Sequence, residues 1–176
     1  CERDSVKKIH KNWDVFINEG RNIIIVASVI CIDENEQILI LLRGETAPRH
    51  PLHWDLPGGH VDQTDGSVEA GGVRELQEEA GLKASIEDLQ YLDKTIKNVT
   101  RNGSPREIIR HFFITEKWTG DVSLVPNPET DILEHIEYKW ATFDEIQELS
   151  QSSIPNYILR KALNKIRNQR DDPHTT

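Results

Sequence analysis

The chain has 176 residues, 36% of them hydrophobic and 29% charged, with a formal net charge of −9. This length suffices for one domain with a sizeable core. The acidic balance argues against a surface for nucleic acid or anionic membranes, which would need a basic patch. The longest apolar run, 23–32, is too short to span a bilayer. Two cysteines make no disulfide framework, so we expect a reducing, cytoplasmic setting.

The first twenty residues are predicted to form a helical extension. A helix over 5–19 is indicated because Val6, Ile9 and Trp13 recur at helical spacing, with a stop signal at Gly20. The chain begins at Cys1 and contains no Met. We therefore expect that its first residue is not the translated start.

The remaining chain alternates between strand and helix signals. Apolar, β-branched runs predict strands over 22–33 and 37–43, and the polar turn between them suggests a hairpin. A second hairpin is predicted at Asn102-Gly103. The other predicted elements are strands over 89–100, 107–118 and 134–141, helices over 144–149 and 154–168, and a polar tail over 169–176. Without repeats or a linker, we predict one domain over 1–176, of α+β class with a mixed sheet between helices.

The stretch from Gly58 to Leu82 organises these elements. Gly58-Gly59 predicts a tight turn after Pro57, and a helix is predicted from the N-cap Ser67 to the C-cap Gly81. Apolar residues are expected to form the packed face of this helix: Ala70, Val73, Leu76 and Ala80.

Three carboxylates lie on the opposite face of that helix. Glu75, Glu78 and Glu79 are spaced i, i+3 and i+4, so they share one side. Carboxylates held this close repel one another unless a positive charge lies among them. A hard divalent cation with oxygen ligands is the natural candidate.

The spacing Gly59…Arg74-Glu-Leu-Gln-Glu-Glu-Ala-Gly-Leu82 resembles the Nudix box, the signature of the Nudix hydrolase superfamily. The strand ending in LPGG and the segment EYKWATFDEI are similar to the family layout from about residue 22 to 168. The resemblance implies an α/β/α sandwich with a mixed sheet.

The first half of the box departs from the family pattern. In the family pattern, five residues separate the second Gly from a Glu, and this Glu stands eight positions before the Arg. Here Asp65 meets the first spacing and Gly66 the second, so the loop is one residue longer. We expect Asp65 to substitute for the missing Glu. Gly71 and Gly72 also lie inside the helix, each costing about 1 kcal/mol relative to Ala.

The resemblance assigns roles to the box residues. It implies that Glu75, Glu78 and Glu79 bind Mg²⁺ or Mn²⁺, with the Gly59 carbonyl as a further ligand. Arg74 would hold a carboxylate in place through charge-assisted hydrogen bonds. Bound metal would lower the pKa of a water molecule and neutralise phosphoryl charge.

The general base is a box glutamate or one from a later segment. We select Glu134, which precedes the strand expected near the box and would also contact the metal. Glu129 and Glu137 are alternatives, as is an ordinary exposed glutamate at 134.

Three upstream residues are candidates for substrate binding. Arg43 and Arg49 would contact phosphates, and Trp54 would stack on a nucleobase. The alternative readings are surface arginines and a tryptophan that packs in the core.

The resemblance implies a metal-dependent hydrolase that cleaves a diphosphate linkage in a nucleotide, with nucleoside triphosphates modestly favoured. Alternatives are an ADP-ribose or nucleotide-sugar pyrophosphatase and a nucleotide-binding module without turnover. An isomerase of this fold would need a Cys in the site, which Cys31 in a core strand does not supply. Many family members are dimers, so a homodimer stays open.

Overall fold

The computed structural model describes residues 23–47, 49–101, 103–126 and 131–171. The predicted helix over 5–19, the residues Asn102 and Glu129, and the last part of the tail lie outside these ranges. The strands are β1 (Ile23–Cys31), β2 (Ile38–Arg43), β3 (Trp54–Asp55), β4 (Gly58–His60), β5 (Gln90–Arg101), β6 (Ser104–Thr115) and β7 (His135–Ala141). The α-helices are α1 (Val68–Ala80), α2 (Phe143–Glu148) and α3 (Asn156–Arg170).

The strands form two sheets. A four-stranded sheet has the order β4-β1-β6-β5, in which β1 and β6 run parallel and the other neighbours antiparallel. An antiparallel three-stranded sheet has the order β3-β2-β7. The α+β class with a mixed sheet is thus confirmed.

The predicted hairpin of β1 and β2 is wrong, although both strands exist. Only one bridge, Ile32 to Ile38, joins them before the chain passes from one sheet to the other. Each strand lies in the middle of its own sheet, β1 between β4 and β6 and β2 between β3 and β7. A strand that is buried on both faces needs such a central position, and the short polar turn permits the crossing as readily as a hairpin.

Two large apolar clusters hold the sheets and helices together. One joins both sheets to α3 through side chains such as Ile30, Ile40, Phe112 and Ile158. The other packs Leu76 of α1 against β1 and β2. The buried apolar positions of β2, and those of β1 from Val29 onward, divide between the two clusters, so both strands are apolar on both faces.

The predicted tight turn at Gly58-Gly59 is wrong, because these residues begin β4. Gly58 pairs with Ser28 and Gly59 with Ala27 of β1. A Cβ at Gly58 would lie 2.2 Å from the Ala27 carbonyl oxygen, and its φ is +153°. Glycine is required here for close strand approach rather than for chain reversal.

The other boundaries differ by a few residues from the predictions. β5 and β6 form the predicted hairpin, but β6 covers Ser104–Thr115, earlier than 107–118. The predicted tail begins too early, since α3 continues to Arg170. No helix in the described ranges is long and apolar enough to cross a membrane.

Candidate active site

Helix α1 is fixed at both ends by the predicted caps. The Ser67 hydroxyl accepts from the Ala70 N–H at 3.0 Å, and Gly81 adopts the left-handed conformation with φ of 73°. The predicted packed face is correct for Leu76 and Ala80 but wrong for Ala70 and Val73, which are only half-buried. Val68 and Gly72 are buried instead, because the helix lies closer to β1 than larger side chains would allow.

The two glycines inside α1 are explained by this close packing. A Cβ on Gly72 would lie 3.3 Å from the Val29 side chain. On Gly71 it would lie 2.9 Å from the Val61 side chain and 3.1 Å from Asp65 Oδ2. The two glycines lower the helix propensity of this segment, but they allow the helix to contact the sheet and the loop before it.

Arg74 connects most of the site through one guanidinium group. Its Nε and Nη2 donate to the two oxygens of Asp65 at 2.8 and 3.0 Å. Its Nη2 also donates to the His60 carbonyl at 2.9 Å, and its Nη1 donates to Glu75 at 3.1 Å and Glu78 at 3.0 Å. A single side chain thus orients two box carboxylates and ties them to β4.

Asp65 takes the bracing position expected of it. Besides receiving two bonds from Arg74, its Oδ2 accepts from the Asp62 N–H at 2.8 Å, which closes the loop before the helix. The hydrogen bonds from Arg74 hold the pKa of Asp65 below its usual range. The longer loop therefore keeps a carboxylate in contact with Arg74 despite the missing Glu.

Glu79 is held against β4 on the inner side of the helix. Its Oε2 accepts from the Gly58 N–H at 2.8 Å, and its Oε1 lies 3.8 Å from His135 Nδ1. Only 10% of the side chain is exposed. Burial raises the pKa of Glu79 well above its usual value, with a smaller contribution from the charges of Glu75 and Glu134.

Glu75 lies directly against Gly59. A Cβ on Gly59 would approach the Glu75 carboxylate to 2.6 Å, and the Glu75 side chain is 13% exposed. Burial raises the pKa of Glu75 to about 7, although the nearby charge of Arg74 opposes the shift. Any side chain at position 59 would displace this carboxylate.

The residues present fit a hard divalent cation in their chemistry. Burial raises the pKa of both Glu75 and Glu79, and the charge of Glu75 raises that of Glu79 further, a cost that a nearby cation would offset. As they stand, no three His, Cys, Asp or Glu side chains in the described ranges form a closed cluster around one point. Glu78 accepts from Arg74 through Oε2, so its other oxygen would join Glu75, Glu79 and the Gly59 carbonyl around a metal.

Two further predicted residues lie close to the acidic group. Glu134 is exposed, immediately before β7, and its carbonyl accepts from the Gly44 N–H at 2.8 Å. Its charge contributes to the raised pKa of both Glu75 and Glu79. The charge of Arg43 acts in the opposite direction on Glu79.

The other predicted substrate residues are placed differently. The Arg49 side chain is exposed, and its carbonyl accepts from Arg43 Nε at 3.0 Å. The Trp54 side chain is half-buried against the core, and the backbone N–H of Trp54 donates to the backbone carbonyl of Gln151 at 3.0 Å. Trp54 therefore matches the packing alternative rather than an open stacking surface.

The sequence did not single out a polar group between the two sheets. Arg110 Nη2 donates to Asp55 Oδ1 at 2.7 Å, and Arg110 Nε donates to Ser28 Oγ at 2.8 Å. Burial would raise the pKa of Asp55, but Arg110 and the Leu56 N–H bring it below its usual range. An arginine inside the apolar strand segment IIRHFF was the available signal.

His135 is also a residue without a predicted role. It is 3% exposed and lies beside Glu79 at the start of β7. Burial lowers the pKa of His135 to about 4, and the charge of Arg43 acts in the same direction. The neutral imidazole thus covers Glu79 from the second sheet.

Comparison with known proteins places this arrangement in a family. The family model for the NUDIX domain matches residues 23–162. A stretch of 60 residues, 34% of this chain, is 45% identical to the putative 8-oxo-dGTP diphosphatase of Bacillus subtilis (strain 168) and covers 36% of that protein. A stretch of 65 residues, 37% of this chain, is 37% identical to the m7GpppN-mRNA hydrolase NUDT17 of Xenopus laevis and covers 22% of it.

The chain therefore aligns with about a third or less of these curated relatives. Among solved structures, the MutT protein from Methanosarcina mazei Go1 is 25% identical with a TM-score of 0.58, over 86% of this chain and 99% of that one. The box glutamates, Arg74 and the glycine strand, which is β4 (Gly58–His60), all fall inside the matched range of the family model. The chain belongs to the Nudix hydrolase superfamily.

Proposed function

We propose that the protein is a Mg²⁺- or Mn²⁺-dependent pyrophosphohydrolase that cleaves a diphosphate linkage in a small nucleotide, with nucleoside triphosphates favoured. One observation carries the proposal: Arg74 holds Glu75 and Glu78, Gly58 holds Glu79, and Glu75 lies against Gly59. Oxygen ligands in this number suit a metal that is shared with substrate phosphates.

The chain's own residues prepare this chemistry. A bound divalent ion would neutralise phosphoryl charge and activate a water molecule. Asp65 fixes the plane of the Arg74 guanidinium through two bonds, and the Gly58 N–H fixes Glu79. The carboxylates are thereby oriented before substrate binds, which lowers the cost of reorganisation during the reaction.

Glu134 is our candidate for the general base. It is exposed and within electrostatic range of Glu75 and Glu79, so a water molecule can reach it. A Glu134→Gln variant is expected to lose about 100-fold in kcat or more. Glu148→Gln, which changes an exposed residue of α2 without a proposed role, is the matched control. Equal loss in both variants, or in neither, would transfer the role to a box glutamate such as Glu78.

The names of the relatives support a phosphorylated guanine derivative as substrate. The two curated names contain 8-oxo-dGTP and m7GpppN-mRNA, both of which carry phosphates linked to a guanine derivative. The net charge of −9 weighs against a long RNA body as a partner. The ADP-ribose, nucleotide-sugar and binding-only alternatives share the same metal-site chemistry and are separated by assay.

The decisive assay measures products rather than turnover alone. The protein is incubated with Mg²⁺ and a panel of nucleoside triphosphates, oxidised dNTPs, ADP-ribose, sugar nucleotides, dinucleoside polyphosphates and capped RNA. Released monophosphate, phosphate and pyrophosphate are then quantified. Release of a nucleoside monophosphate and pyrophosphate from a triphosphate supports the proposal. Binding without turnover on the whole panel supports a non-catalytic module.

A variant pair tests the metal site. Glu79→Gln removes a carboxylate held by Gly58 and is expected to lower Mg²⁺-dependent turnover at least about 100-fold. Glu148→Gln, on the exposed surface of α2, is the matched control and should retain activity. Unchanged turnover in Glu79→Gln would refute the assignment. A homodimer and a cytoplasmic location stay predictions, to be tested by light scattering and by localisation of the tagged protein.

A further inference from the structure

One face of the four-stranded sheet is fully buried toward one end of its strands and only half-buried toward the other. Every second side chain of a β-strand points to the same face of the sheet, and residues directly opposite each other on neighbouring strands share that face. Far from the glycine strand, this face is fully buried: Ile30, Ile32, Phe112 and Ile114. Nearer the start of β1 the same face is only half-buried: Ile24, Val26, Ile108 and Arg110.

The half-buried residues form a compact patch. Val26 lies opposite Arg110, and Ile24 lies opposite Ile108, in the parallel pairing of β1 and β6. Three of the four side chains are apolar, and the fourth is the charged end of the group that joins the two sheets. The patch is thus an apolar floor, Ile24, Val26 and Ile108, with a cation at its edge.

Arg110 is held rigidly at that edge. Ser28 and Asp55 accept from its Nε and Nη2 at 2.8 and 2.7 Å, and its Cζ lies 5.1 Å from the centre of the Phe112 ring. Its side chain remains 19% exposed. Among the residues that the structure describes, its Nη1 group has no hydrogen-bond partner, so donors remain available to a ligand.

A stabilising role alone does not explain this ion pair. Asp55 is 14% exposed and Arg110 19% exposed. Removing two charges from water at such a site often offsets their attraction, so an apolar pair of similar size would serve the fold as well. The pair instead provides a fixed set of donors next to an apolar surface.

The floor is adjacent to the proposed metal site through β4. Val26 lies opposite His60, whose carbonyl binds Arg74, and Ser28 lies opposite Gly58, whose N–H binds Glu79. Strands are spaced by about 4.8 Å, so β6 lies about 10 Å from β4 across the sheet. Val26 and the Glu75 carboxylate lie on opposite faces of the sheet, but β4 is its edge strand. A nucleotide with its phosphates at that edge can therefore pass around β4 and extend its base across Val26 toward Arg110.

We propose that Arg110 determines base specificity by donating to the 6-oxo group of a purine that lies on the floor of Ile24, Val26 and Ile108. Asp55 and Ser28 are positioning residues that hold the guanidinium in place. A guanidinium has only donors, so it binds a carbonyl oxygen but opposes an amino group. Hypoxanthine and guanine are accepted, whereas adenine, of the same size and shape, places a donor against a donor.

This inference rests on the proposed function for its substrate class, but its test does not require turnover. Dissociation constants of IMP and AMP are measured without metal for the wild-type protein and for Arg110→Gln. The two ligands differ only in the 6-oxo or 6-amino group and in the N1 proton that accompanies the oxo group, and neither contains a diphosphate linkage. A failed hydrolysis assay would thus leave this measurement unaffected.

The wild-type protein is expected to bind IMP at least about tenfold more tightly than AMP. Arg110→Gln should reduce this ratio toward one, and Asp55→Asn should lower it while Arg110 is still present. Arg167→Gln, which removes another arginine paired with a carboxylate, is the matched control and should keep the wild-type ratio. A merely structural role would weaken both ligands equally.

Two results would overturn the proposal. One is equal affinity for IMP and AMP, or no binding of either, in the wild-type protein. The other is an unchanged ratio in Arg110→Gln. Circular dichroism confirms folding of each variant. If Arg110→Gln does not fold, Arg110→Lys replaces it, because lysine keeps the charge but loses the planar donor geometry, and the ratio should still fall.

Discussion

Two arginines in this molecule, Arg74 and Arg110, each form an ion pair with an aspartate, but the two pairs differ in what they connect. Arg74 and Asp65 belong to one helix and the loop before it, and Arg74 shares its donors with Glu75 and Glu78. Arg110 and Asp55 come from β6 and β3, which lie in different sheets. The Arg74 pair is thus local and distributes its bonds, whereas the Arg110 pair is distant in sequence and bridges the fold.

The environments of the two pairs differ as well. The Arg74 side chain is 31% exposed and that of Arg110 19% exposed. A charge left unpaired at the more buried position cannot recover its hydration. We therefore expect the bridging pair to govern stability and base selection, and the local pair to govern the chemistry.

The largest effect is expected from breaking the bridging pair. Asp55→Ala leaves Arg110 without its carboxylate between the sheets and should reduce the free energy of unfolding by about 3–5 kcal/mol. Asp65→Ala should cost only about 1 kcal/mol, because Arg74 is 31% exposed and keeps Glu75 and Glu78 as partners. Urea unfolding followed by circular dichroism measures both. Equal losses would remove the distinction between the two arginines.

Arg74→Lys tests the local pair through activity. Lysine keeps the charge but cannot donate in parallel to both oxygens of Asp65 while holding Glu75 and Glu78. Misplaced carboxylates should lower kcat about 100-fold with a small change in stability. The measurement is Mg²⁺-dependent turnover of a responsive nucleotide, with Arg167→Lys as control. A near-normal rate would show that the distributed bonds of Arg74 are dispensable.

Gly59→Ala sharpens the comparison further, because it displaces a carboxylate without removing a charge. The added methyl group would lie 2.6 Å from the Glu75 carboxylate, so the carboxylate must shift. We expect turnover to fall about tenfold or more. Gly103→Ala, where an added Cβ meets nothing within 4 Å but φ is +76°, should lower stability and leave turnover unchanged. An equal response of the two variants would contradict the close contact.

The smallest effect is expected from acid. The pKa of Asp65 in the folded protein lies below the ordinary value of 3.8 because Arg74 bonds to the carboxylate. The unfolded chain therefore binds the proton first, and the stability supplied by this pair is present above pH 3.8 and lost as the pH falls through the lower folded pKa. Unfolding free energies from pH 6 to 3 should fall less steeply for Asp65→Asn than for the wild-type protein. Parallel curves would refute this contribution.

Local signals in the sequence predicted the parts of the site that lie close together along the chain. Ser67 and Gly81 cap α1 as expected, and Arg74 contacts Asp65 and the glutamates that follow it. These interactions depend on helix geometry and spacing, both of which the order of residues specifies. The α+β class was likewise evident from alternating strand and helix signals.

Contacts between distant segments were not predicted. Asp55 and Arg110 meet only because β3 and β6 belong to sheets that pack together, and no short pattern connects them. Gly58-Gly59 was wrongly predicted as a turn for the same reason. A glycine pair indicates a turn unless the strand that packs against it is known. The pairing of β1 with β4 and β6, rather than with β2, depends on competition among several apolar strands.

The central position of β1 has a consequence for how the chain folds. Its parallel partner β6 is far along the sequence, with Ile23 opposite Glu107, and β4 attaches to its other edge. Closing so long a loop is entropically costly and slows folding. The glycine strand can pack against α1 only after β1 is in place. We therefore expect hydrolase activity to appear in the last kinetic phase of folding. During translation, the acidic helix is synthesised well before the segment that completes its supporting sheet.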